Sequence, residues 1–186
     1  LLRVERFALT ANNITYAVAG DSMSYWAFFP TTEGWGRVPV WGYAVVEQSN
    51  HADVAVGERV YGYLPMSTHL IVRPARVTSA GFVDSVPHRA ERAAVYNQYQ
   101  RVPRESTDSA EREAAQMLLR PLFMTSFILD DLLADNDFFG ARAVILSSAS
   151  SKTSLASREN GNDPPAISVR GPVCTMRAAI LSQGFR

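Results

Sequence analysis

Apolar and polar positions mix at short range through the first half of the chain. Val4, Phe7, Leu9, Ile14, Tyr16 and Val18 are strand formers and predict extended structure over residues 3–18. Gly20-Asp21 marks a turn. Residues 22–36 carry Tyr25, Trp26, Phe28, Phe29 and Trp35, punctuated by Pro30, Gly34 and Gly36, and read as a packed loop with its rings in the core, a ring-lined ligand cleft being the lesser alternative. The segment 38–47 reads as a buried strand in which Gly42 marks a bulge or a close approach of backbones. Gly57-Glu58 leads into a strand at residues 59–63, and Leu70 to Val72 forms another, closed by Pro74. Short strands separated by Gly and Pro turns predict an all-β barrel or sandwich up to residue 85.

The pattern then changes period. Residues 87–100 read as helix or loop. Asp108 and Glu111 have capping-box spacing ahead of Ala114, Met117 and Leu118, and Pro121 kinks or restarts the helix that follows. Beyond it, Leu122, Ser126, Leu129 and Leu133 fall on one helical face, with Thr125, Ile128 and Leu132 beside it. Residues 136–140 close the helix. Residues 143–146 form a short continuous apolar run of the kind buried in a parallel sheet. From 157 the chain is polar, broken by Pro164-Pro165, and weakly periodic.

Composition narrows the function classes. Of 186 residues, 47% are apolar and 19% charged, enough for a core and too apolar for a disordered tail. Eighteen basic residues balance eighteen acidic ones, which argues against a nucleic-acid partner. The most apolar stretch, 118–133, is broken by Arg120, Pro121, Asp130 and Asp131, so no membrane span is expected. Arg3, Glu5 and Arg6 interrupt any leader-like apolar run. One cysteine, Cys174, allows no internal disulfide and no cysteine zinc site, and His51, His69 and His88 are scattered, so no metal is expected. A soluble cytoplasmic protein is the expectation. A chain that starts at Leu1 and directly in strand-like sequence reads as a fragment.

The richest chemistry follows residues 143–146. There the sequence runs Ser147-Ser148-Ala149-Ser150-Ser151-Lys152-Thr153-Ser154, and Lys152 is the sole lysine beside seventeen arginines. A strand, a turn of small residues and a helix start present backbone N–H groups and a helix dipole to an anion. Hydroxyls add donors, and Lys152 adds positive charge. The glycines of the dinucleotide and P-loop fingerprints are absent. Phosphate binding and a serine-rich helix cap therefore both stand. No Gly-x-Ser-x-Gly elbow supports serine hydrolase chemistry.

The order of these features, with Val56-Gly57-Glu58-Arg59-Val60-Tyr61-Gly62, resembles the medium-chain dehydrogenase/reductase superfamily. The strings TANNITYAVAGD, YWAFFP, PVWGYAVV, GERVYGYLPMS, YNQY, LLRPLFMTSFILDD and SSASSKTS are similar to a quinone-oxidoreductase-like family of unknown function, DUF2855, over residues 4–156. The resemblance implies a mixed α+β or α/β fold. A GroES-like barrel would occupy residues 1–105. A helical bridge and the start of an incomplete Rossmann domain would follow at 106–156, and residues 157–186 would be an atypical tail. It implies a zinc-independent, NADPH-dependent reduction of a carbonyl or activated double bond, with NADP as cofactor. Gly42-Tyr43-Ala44 stands where zinc-dependent members carry Gly-His-Glu. Asn13 stands where members place an asparagine near the cleft, and Tyr16 where many have an aspartate. Asn13, Tyr43 and Tyr96 are the candidate proton donors or orienting groups. Thr125 would approach the nicotinamide, and Ser148, Ala149, Ser150, Ser151, Lys152 and Thr153 would hold its phosphates.

The resemblance ends near Ala156, and too few residues follow Gly140 for a two-half dinucleotide sheet. The expectation is a truncated product with an exposed, unpaired strand edge at 143–146, its parent a homodimer acting on an undetermined small molecule. The alternatives are a non-catalytic ligand- or partner-binding barrel and an inactive remnant.

Overall fold

A computed structural model describes residues 1–102, 110–141, 144–146, 167–169 and 179–180. The architecture is mixed α+β: a curled antiparallel half-barrel of seven strands, and two helices. The chain divides into two compact units, residues 1–118 and 119–186.

In the first unit, β1 (Leu2–Phe7) is followed not by more strand but by helix α1 (Ala11–Val18). The extended reading of residues 9–18 fails because of local polar chemistry. The Asn13 side-chain oxygen accepts from the Thr10 N–H at 2.7 Å and the Thr10 hydroxyl at 3.2 Å, closing the first turn. Strands β2 (Pro39–Val46), β3 (Arg59–Pro65), β4 (His69–Leu70), β5 (Pro74–Thr78), β6 (Gly81–Asp84) and β7 (Gln98–Val102) complete the sheet. Its order is β4-β1-β2-β3-β7-β6-β5. The two edge strands are neighbours in sequence, so the curl leaves a seam at the Leu70–Pro74 link.

The pleat sorts β2 and β3 into two apolar faces. One buries Val40, Ala44, Val46, Val60 and Leu64 with Leu2, Phe82 and Tyr99. On that face Gly42 pairs with Gly62. A Cβ at Gly42 would lie 2.3 Å from the Arg6 carbonyl oxygen, so the glycine marks a close approach of β1. The opposite face is aromatic: Trp41 pairs with Tyr63 and Tyr43 with Tyr61.

Helix α2 (Ala110–Asp135) gives its first turns to this unit. Met117 and Ala114 pack on Tyr43 and Tyr61. Glu113 takes two hydrogen bonds from the Arg59 guanidinium, the Nη2 bond measuring 3.1 Å, and lies 3.4 Å from Arg6. Arg59 also donates to Glu5 at 2.6 Å.

In the second unit α2 continues through Pro121 without interruption. Ser126 is buried, and Leu122, Leu129 and Leu133 are half-buried, which is the face the helical period predicts. A turn at Asp137–Gly140 ends the segment, with Phe138, Phe139 and Gly140 left-handed. Strand β8 (Val144–Leu146) pairs in parallel with β9 (Ile167–Val169) and antiparallel with β10 (Ala179–Ile180). The expected bare edge at 143–146 is therefore corrected. β8 is the central strand of three, and both of its neighbours come from the last twenty residues.

Candidate functional site

The β2–β3 register starts the site by setting Trp41, Tyr43, Tyr61 and Tyr63 on one face. Three other segments bring rings onto it. Helix α1 supplies Tyr16, the turn at Tyr25–Ala27 supplies Tyr25 ahead of Phe28 and Phe29, and the turn at Ala94–Asn97 supplies Tyr96. Tyr16 stacks on Tyr25 with centroids 4.4 Å apart. Tyr96 lies 4.8 Å from Tyr63 and 5.1 Å from Phe28, and Trp41 lies 5.0 Å from Tyr63. Such pairs add about 0.5–1.5 kcal/mol each beyond the area they bury.

Tyr63 stands out among these tyrosines. Its side chain is fully buried, and its hydroxyl has no hydrogen-bond partner among the described residues. Buried hydroxyls normally have a partner, so this one is an exception within the packed rings. Burial, and then the hydroxyls of Tyr16, Tyr96 and Tyr25, push the Tyr63 pKa far up. Burial first, then Tyr25 and Tyr96, raises Tyr16 to about 12, and burial also raises Tyr25. At neutral pH these groups are uncharged: each can donate a hydrogen bond, and the upward shift makes each a weaker acid than a free tyrosine.

The predicted site residues fall in different places. Asn13 is buried and committed: its oxygen caps α1, and its amide donates to the Pro39 carbonyl at 2.8 Å, tying α1 to β2. Tyr43 is buried beneath α2, donates to the Gln116 side-chain oxygen at 3.0 Å, and carries the Arg59 guanidinium 4.6 Å above its ring. Tyr96 is half-buried within the tyrosine cluster. Thr125 is exposed on α2, and its hydroxyl donates to the Pro121 carbonyl one turn back at 2.9 Å. Ser148, Ala149, Ser150, Ser151, Lys152 and Thr153 lie outside the described residues.

Tyr63, at the centre of this ring cluster, is the residue that sequence reasoning did not single out. The signal was there in the pairs Trp41-Gly42-Tyr43 and Tyr61-Gly62-Tyr63, whose spacing of two puts every ring on one face of a strand. Among the described residues no group of three His, Cys, Asp or Glu could hold a metal ion, and no helix is long and apolar enough to cross a membrane.

No curated protein matches the chain. No solved structure matches it. The model of one family, described as protein of unknown function (DUF2855), matches residues 7–166, and on that span, most of its length, the chain belongs to the DUF2855 family.

Proposed function

We propose that the chain is part of a zinc-independent oxidoreductase that uses NADPH to reduce a carbonyl or an activated double bond. The observation that carries this reading is the parallel pairing of β8 with β9. Parallel neighbours need a crossover connection of about a dozen residues or more, and ligands of such sheets bind at the carboxyl ends of the strands. The segment leaving the carboxyl end of β8 is the one that carries Ser148, Ser150, Ser151, Lys152 and Thr153. Hydroxyls and a lysine suit a pyrophosphate or a ribose 2′-phosphate. A bound nicotinamide supplies the hydride.

Lys152→Ala tests the phosphate assignment. Loss of a charge-assisted contact worth about 1.5–3 kcal/mol weakens NADPH binding tenfold or more, read by nicotinamide fluorescence. Unchanged binding removes Lys152 from the site.

A second reading, a non-catalytic ligand-binding barrel, is favoured by the commitment of Asn13 and Tyr43 to structural hydrogen bonds. It predicts that no NADPH signal exists for Lys152→Ala to abolish.

A further inference from the structure

A groove of about 620 Å³ opens on the other face of the half-barrel, away from the aromatic side chains of β2 and β3. It lies at the seam where the two edge strands fail to pair. Its floor is apolar and belongs to the core: Leu2, Val46, Val54 and Phe82. The mouth is different. Ile71 is 77% exposed there, an apolar side chain left in water beside an apolar floor. Arg73 lines the same mouth. The Arg73 backbone is held firmly, its N–H donating to Asp84 at 2.8 Å and its carbonyl accepting from the Ser85 hydroxyl at 3.0 Å. Among the described residues its guanidinium has no carboxylate partner. Asp84, which accepts from the Arg73 N–H, is buried and paired with Arg89.

Small-molecule sites have volumes of about 300–1,000 Å³, apolar walls and a few fixed polar groups, and the mouths of β-barrels are a common place for them. The combination here is an apolar trough with Arg73 at its lip, held through its backbone and without a carboxylate partner among the described residues. We propose that this groove binds a small amphipathic carboxylate, its hydrocarbon body on the core residues and its carboxylate on Arg73. The planar fork of arginine matches the two oxygens of a carboxylate, and an alcohol of equal length gains only the apolar part. The site is separate from the tyrosine cluster and does not depend on the oxidoreductase reading.

The test uses the whole chain and two probes of equal length, decanoate and decanol. Each is titrated by displacement of 8-anilinonaphthalene-1-sulfonate and checked by calorimetry for one site per chain. Decanoate is expected to bind saturably and at least about tenfold more tightly than decanol. Arg73→Gln removes that preference and leaves decanol unchanged. Ile71→Glu, at an exposed position that does not threaten folding, sets a carboxylate at the mouth and weakens decanoate selectively. Decanoate that fails to saturate overturns the proposal. So does a preference over decanol that survives both substitutions.

Discussion

Two buried polar side chains, Asn13 and Tyr63, show how differently burial can be handled. Asn13 spends its oxygen on the Thr10 N–H and its amide on the Pro39 carbonyl, which makes it a staple between α1 and β2. Tyr63 leaves its hydroxyl without a partner among the described residues while its main-chain carbonyl accepts from the Tyr99 hydroxyl at 2.8 Å. The three hydrogen bonds of Asn13, two accepted from Thr10 and one donated to Pro39, hold it in place. Glu113 carries a prediction of its own. The Arg59 guanidinium, with Arg6 beside it, holds its carboxyl below the ordinary value of 4.5. In the folded protein it therefore stays ionised to lower pH than in the unfolded chain. The stability it contributes is complete above pH 4.5 and is lost as pH falls through the folded value. Urea midpoints at neutral pH and about pH 3 check this. Glu113→Gln lowers the midpoint at neutral pH and flattens the acid dependence; an equally steep acid loss in the variant contradicts it.

At the scale of elements, the strands of the central sheet were legible because their alternation and their Gly and Pro turns agree. The run 39–46 and the run 59–65 appear as β2 and β3 close to where the pattern puts them. Helix α1 was not legible from hydrophobicity because its pattern is inverted. Its sole buried residue is the polar Asn13, while Ile14 and Val18 face water at 67% and 85% exposure. A cap and a single inward amide decide this helix, and no periodicity of apolar residues records them. The face of α2 that carries Ser126 was legible because a long helix repeats its period several times. Close packing of β1 on β2 also makes a prediction. A Cβ at Gly42 would meet the Arg6 carbonyl oxygen at 2.3 Å and the Phe7 Cα at 2.9 Å, both backbone atoms that cannot rotate away. Gly42→Ala costs about 1–3 kcal/mol in urea denaturation. An unchanged midpoint contradicts so tight an approach.

For the whole molecule, composition and turn spacing were enough to indicate a β-rich first part and a change of character after it. They could not show which rings meet, because the tyrosine cluster joins residues from α1, a loop, β3 and a second turn that lie far apart in sequence. The apolar run near 143–146 correctly suggested a parallel strand, but its partners come from a tail with no clear period, so the pairing of β8 with β9 and β10 was invisible. That parallel pair carries the proposed function, which assigns phosphate binding to the serine- and lysine-bearing sequence that follows β8. The most direct measurement is an equilibrium titration of the chain with NADPH, followed by nicotinamide fluorescence. The account predicts saturation at one NADPH per chain with a dissociation constant below about 1 mM. A signal that stays linear through millimolar cofactor contradicts it.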